Sequence, residues 1–164
     1  MRYSDVAQFE VPKDLAKRLG YKTVYVSGKD LLVVHTPQGR DIPQIVANSD
    51  PGVLISGLKD ANVLGVIFEG EELTKKVVEK ASEFKKIIFI PVGRLTRAGI
   101  EERGPKIGRL RRIIFSAHKL GARVCFVTLA SSEIELLSTE QMKEVGRLLL
   151  RGGNGAGLLS EDLL

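Results

Sequence analysis

Nine basic side chains fall between positions 94 and 123: Arg94, Arg97, Arg103, Lys106, Arg109, Arg111, Arg112, Lys119 and Arg123. Only Glu101 and Glu102 oppose them, so this stretch carries +7 in a chain whose net charge is +5. The rest of the chain is slightly acidic. Clustered cations of this kind bind polyanions, because neutralising several phosphates releases counterions and drives association without sequence preference. A solvated helix face accounts for the same residues, since Arg is a good helix former that needs no ligand. Aromatic residues make up 5% of the chain and Trp is absent, which gives little support to a base-stacking platform. Any nucleic acid should therefore be held by backbone charge and shape.

Other chemistry is sparse. The chain has no phosphate-loop G-x-x-x-x-G-K-[ST], no G-x-S-x-G elbow and no dinucleotide G-x-G-x-x-G after a strand. Gly152-Gly153-Asn154-Gly155 comes after the last expected helix, where no helix N-terminus follows to receive a phosphate. His35 ends an expected strand beside Thr36 and Pro37, without a second histidine at chelating distance in sequence, and a structural role is favoured. His118 lies near the end of the basic helix, where the helix dipole favours a cation. Asp5, Asp30 and Glu69 fall at expected strand ends and could gather around Mg²⁺, although nothing in their spacing requires it. Cys125, within Val124–Val127, has no disulfide partner and reads as a small core residue. No catalytic residue and no metal ligand is assigned.

The elements that position these residues follow from length and pattern. With 164 residues, 43% hydrophobic and 27% charged, the chain fits one soluble domain with a core of its own. Its apolar runs, such as Ile87–Ile90, are far shorter than the roughly 20 residues that span a bilayer. Met1–Asp5 opens no signal peptide, so a cytoplasmic protein without a membrane partner is expected. Strands are predicted at Tyr3–Val6, Thr23–Val26, Leu31–His35, Val63–Phe68, Ile87–Val92 and Arg123–Thr128, with a shorter one at Val53–Ser56. The section from Thr36 to Asp50-Pro51-Gly52 reads as irregular. Helices are predicted at Pro12–Gly20, Glu71–Phe84 and Pro105–Leu120, the last preceded by a long basic loop, Gly93–Gly104. In that helix Ile107, Leu110, Ile114 and Ala117 form the buried stripe, with Arg109, Arg112, Ser116 and Lys119 opposite in solvent. Ser131–Leu137 is irregular or briefly helical, Ser138 and Gln141 form a capping box, and the final helix runs to Leu150 with Met142, Val145 and Leu149 inside. Strands alternating with helices predict a parallel sheet with helices outside it. One domain over 1–150 and a glycine-rich tether over 151–164, ending in Leu158, Leu159, Leu163 and Leu164, complete the expected organisation.

A family resemblance adds to this. Ile87–Leu95, Arg109-Leu110-Arg111-Arg112, Val124–Thr128, Ser131-Ser132 and Leu136-Leu137-Ser138 together resemble the protein component 3 family of archaeal ribonuclease P. Asp5-Val6-Ala7, with Ala16 and Leu19-Gly20-Tyr21, is similar to that family's opening strand–helix–strand, so the likeness covers most of residues 3–150. Departures are specific: Arg94-Leu95 lacks the family's spacer, Thr128 is separated from Ser131, and Thr139 stands where the family has Pro. The resemblance implies an α/β fold of one domain, a TIM-like (β/α) barrel related to metal-dependent phosphoesterases but without their histidine-rich site. Where those enzymes begin with D-x-H-x-H, this chain has Asp5-Val6-Ala7-Gln8-Phe9. A full barrel takes about 250 residues, so this one would be trimmed, with at least one helix lost around Thr36–Gly57.

The same resemblance implies a protein subunit of ribonuclease P, itself not catalytic, that helps the catalytic RNA remove the 5′ leader of precursor tRNA. Its partners would be the ribonuclease P RNA, precursor tRNA within the holoenzyme and another small protein subunit. No cofactor would be bound by the polypeptide, and Mg²⁺ would belong with the RNA subunit. Arg94, Arg97, Lys106, Arg109, Arg112 and Lys119 are the expected RNA-phosphate contacts. Two alternatives stay open: a phosphoesterase that uses strand-end carboxylates with His35 and a divalent metal, and a protein-interaction module whose basic helix meets an acidic partner.

Overall fold

The computed structural model describes residues 3–70 and 74–150, apart from the side chain of Arg94. The Glu71–Leu73 start of an expected helix and the 151–164 tail lie outside the described residues. All strand pairings are parallel. β1 (Tyr3–Ala7) pairs with β2 (Tyr21–Val26), while β3 (Leu32–Val34), β4 (Gln44–Asn48), β5 (Val63–Phe68), β6 (Ile87–Pro91) and β7 (Arg123–Val127) form a five-stranded sheet in sequence order. Isolated parallel bridges at Ser27↔Leu31 and Ala7↔Ala130 connect the two sheets at both edges. α1 (Lys13–Arg18) links β1 to β2, α2 (Pro51–Leu58) links β4 to β5, and α3 (Lys75–Glu83) links β5 to β6. α4 (Gly93–Thr96) and α5 (Ile100–Lys119) lie between β6 and β7, and α6 (Thr139–Leu149) follows β7. A single mixed α/β domain with a parallel sheet flanked by helices is thus formed, as the alternation predicts.

Side-chain alternation divides the core in two. Val46, Val66, Ile88, Ile90 and Phe126 project toward the helices, where they pack with Leu54, Val78, Ala81, Ile114, Ala117 and Met142. Their neighbours along the strands, Val6, Ile45, Ala47, Ile67, Phe89, Cys125 and Val127, meet one another in a second core with Leu31 and Leu129. Among the described residues no helical residue belongs to that second core, yet Ile45 and Ile67 are 0% exposed. Cys125 is buried there, a small core residue as expected.

Three expectations are corrected. The section expected to be irregular contains β4, whose polar first residue, Gln44, is fully buried because its side chain accepts from the Gln38 N–H at 2.8 Å and donates back to the Gln38 carbonyl. The short strand expected at Val53–Ser56 is instead part of α2, started by Asp50, whose carboxylate accepts from the Gly52 N–H at 2.7 Å, and by Pro51 in the first turn. The basic loop expected at Gly93–Gly104 is mostly helix, since α4 and the first turn of α5 occupy it and Pro105 lies inside α5 rather than at its start. Positions 101–105 are exposed, so water can satisfy the carbonyl that the proline leaves without an N–H.

Close approaches fix some glycines. A Cβ on Gly65 would lie 1.9 Å from the Ile87 carbonyl oxygen across the β5–β6 pair. Gly20 adopts φ +89°, where L-residues are strained, and its Cα faces Thr139 so closely that a Cβ would meet Oγ1 at 2.4 Å. Thr139 begins α6, donates its N–H to the Leu19 carbonyl at 2.9 Å, and lies within the capping box that Ser138 and Gln141 form.

Candidate functional site

In parallel α/β folds the loops after the strands carry function, because helices cover the flanks. Two cavities open at that end. One, of about 360 Å³, is lined by Gln8, Ser27, Val33, His35, Glu69 and Leu129. The His35 Nδ1 lies 2.9 Å from the Ala47 carbonyl, which can only accept, so Nδ1 is the donor in this bond. Asn48 Nδ2 donates to the His35 carbonyl at 2.8 Å and fixes the backbone at the strand end. Glu69 Oε2 is 3.9 Å from Nδ1. Among the described residues, no third His, Cys, Asp or Glu completes a metal-binding group around this pair. Asp30, the other strand-end acid, turns back on its own loop, where its carboxylate accepts from the Val26 N–H at 2.7 Å.

Asp5 lies beneath the same end and is fully buried. Its two carboxylate oxygens accept from the Thr128 N–H at 2.8 Å and the Thr128 hydroxyl at 2.6 Å, and the adjacent Val6 carbonyl accepts from the Leu129 N–H at 2.9 Å. Burial pushes the Asp5 carboxyl up to about 6, with the Thr128 hydrogen bonds opposing part of that rise. Asp5 therefore stitches β1 to the end of β7 rather than facing a ligand. Leu129 holds φ +47° at this junction while its side chain is 3% exposed in the strand-only core, so burial of an apolar side chain offsets a backbone cost.

The second cavity, of about 400 Å³, lies between the ends of β5 and β6 and the helices α4 and α5. Phe68, Pro91, Leu95 and Leu110 give it an apolar wall, and Arg97, Lys106 and Arg109 give it three cations. Arg97 reaches Glu135 on the next loop at 3.5 Å, and Glu135 is held below the usual carboxylate range chiefly by the Ser131 N–H at 2.7 Å. Lys106 pairs with Glu102 one turn back at 2.6 Å, the orientation that also suits the helix dipole. Arg109 is half-buried rather than solvated: its Nη2 donates to the Phe68 carbonyl at 3.4 Å and its guanidinium lies 5.8 Å from the Phe68 ring centroid. The expectation of Arg109 on a solvent stripe is corrected accordingly, because α5 leans on the end of β5.

The six expected contacts separate into groups. Arg97, Lys106 and Arg109 share the 400 Å³ cavity. Arg94 belongs to α4, with its side chain outside the described residues. Arg112 is exposed on the α6 side of α5, and Lys119 is exposed in the last turn, about 20 Å of helix axis beyond Lys106. The described side chains thus form no single patch: three share the cavity, and Arg112 and Lys119 lie elsewhere on α5.

No protein-family model matches the chain, and no curated protein is significantly similar to it. Three residues of this region escape sequence reasoning. Arg103 donates through Nε to the Ala98 carbonyl at 3.0 Å and ties α5 to α4, which is invisible while that segment is expected to be loop. Arg111 donates through Nη2 to the Leu148 carbonyl at 2.7 Å, joining α5 to the end of α6. Phe115 is 70% exposed, and its signal was legible: it falls outside the Ile107, Leu110, Ile114 and Ala117 stripe.

Proposed function

We propose that this chain is a protein subunit of ribonuclease P that binds the catalytic RNA and assists it in removing the 5′ leader of precursor tRNA. The observation that carries the reading is the group of three cations, Arg97, Lys106 and Arg109, around a cavity at the strand ends. Neutralising closely spaced phosphates is what a large folded RNA requires of a protein partner. The family likeness of residues 87–138 narrows the RNA to that of ribonuclease P. In this reading the RNA, with its Mg²⁺, performs the cleavage, and the polypeptide holds the RNA fold and meets another small protein subunit.

The fold we propose is a trimmed (β/α) barrel of seven strands. Two features support it: bridges join the two sheets at both edges, and the second core is buried with no described helix contributing to it. An open sheet with such a face would need a covering layer.

The test is precursor-tRNA cleavage by ribonuclease P RNA reconstituted with its other protein subunits, with and without this chain at moderate Mg²⁺. Stimulation is expected, and the Arg97→Ala/Lys106→Ala double variant should flatten the salt dependence of RNA binding by about two units. A folded chain that leaves cleavage unchanged overturns the reading. The alternative reading is a phosphoesterase that uses His35 and strand-end carboxylates with a divalent metal; His35 and Glu69 line one cavity. Hydrolysis of bis(p-nitrophenyl) phosphate with Mn²⁺, lost in His35→Ala, would establish it in place of the first.

A further inference from the structure

α5 carries a second basic surface, on the side away from the 400 Å³ cavity. A groove of about 640 Å³ runs between α5 and α6, lined by Gly108, Arg111, Arg112, Phe115, His118 and Leu149 among others. No acidic side chain contributes to this lining among the described residues. Phe115 is 70% exposed, whereas Leu149 is 3% exposed and forms part of the core beneath. The groove therefore presents one proud aromatic ring with two guanidinium groups and an imidazole around it. A Cβ on Gly108 would meet nothing within 4 Å, so the groove continues over the helix backbone at that turn.

We propose that this groove binds a single-stranded nucleotide, with its base stacked on Phe115 and its flanking phosphates held by Arg112 and His118. The choice of ligand rests on the RNA-binding reading above and on the groove itself. An amphipathic protein helix would need a row of exposed apolar side chains, and of the apolar lining residues only Phe115 stands fully exposed, with Ile114 and Leu149 buried and Leu150 half-buried. A base has an apolar face of matching size, and its phosphates complement the cations. Arg111, whose Nη2 is committed to the Leu148 carbonyl, keeps the two helices at the spacing that leaves the groove open.

The chain contains no Trp, so Phe115→Trp in the full-length protein gives a single reporter. Titration with a single-stranded oligoadenylate should quench its fluorescence, and an abasic oligomer of equal length should not. Phe115→Ala should bind the oligoadenylate at least 5-fold more weakly than wild type, with binding of the abasic oligomer unchanged. Gly108→Leu, which places a side chain in open space without touching the fold, should weaken oligoadenylate binding as well. Equal affinity of Phe115→Ala and wild type for the oligoadenylate overturns the proposal, as does equal quenching by the abasic oligomer. A response of Phe115→Trp to an acidic amphipathic peptide but not to RNA also overturns it, in favour of a protein ligand. Stacking without stimulation of precursor-tRNA cleavage would sink the ribonuclease P reading alone, and stimulation without stacking would sink this proposal alone.

Discussion

Asp5 gives the residue scale its sharpest test. Its carboxyl is raised from 3.8 to about 6 in the folded protein, mainly by desolvation. Between about pH 4 and 6 the unfolded chain loses this proton while the folded chain keeps it, so folding stability falls as pH rises through that window. The cost is complete above about pH 6 and amounts to about 3 kcal/mol. Urea unfolding of wild type and Asp5→Asn at pH 4, 5, 6 and 7 should show wild type losing about 2 kcal/mol more than the variant across the series. Parallel profiles would mean that Asp5 does not titrate in this window. Burial of Asp5 cannot be read from its position in a short N-terminal strand, because it depends on a partner, Thr128, near the other end of the chain. The cations were legible from charge counting alone. Their arrangement was not, since pairing Arg97 with Glu135 and folding Arg109 onto Phe68 need the loops after three different strands to converge.

At the scale of elements, legibility followed the strength of the local signal. β5, β6 and β7 are runs of β-branched and aromatic residues, and both the pattern and the fold place them alike. β4 reads Gln-Ile-Val-Ala-Asn amid Pro, Gly and Asp, too short and too polar at its ends to stand out. α2 is nearly all apolar, so helical periodicity has no polar face against which to show, and Asp50-Pro51-Gly52 marks a turn and a helix start equally well. Among the described glycines, Gly65 in the β5–β6 pair leaves the least room for a Cβ. Gly65→Ala drives a methyl group to within 1.9 Å of the Ile87 carbonyl, and the backbone itself has to move. A loss of at least about 3 kcal/mol is expected in denaturant unfolding, the upper end of overpacking costs. A loss under about 1 kcal/mol would show that the two strands separate easily at this register.

Across the whole molecule, the proposed closure makes a prediction that an open sheet does not. Leu129 donates its N–H to the Val6 carbonyl and Gln8 donates its own to the Ala130 carbonyl, at 2.9 and 2.7 Å. In a closed barrel these two amides should exchange hydrogen as slowly as those of β6, near the global unfolding limit. In an open sheet they would exchange at the rate of a fraying edge, by several orders of magnitude faster, and native-state exchange measured by NMR separates the two outcomes. The sequence could indicate the alternation of strands and helices but not this closure, because nothing local marks which strands become neighbours.

The junction of β1 with β7 also bears on how the protein is made. Asp5 and Thr128 stand 123 positions apart, so the first strand leaves the ribosome long before its partner exists. At ordinary rates of translation the interval is roughly ten seconds, during which one side of β1 has no strand to pair with. The nascent chain must keep that edge from other chains until the final strand emerges, and truncated products that end before β7 should be the ones that chaperones retain.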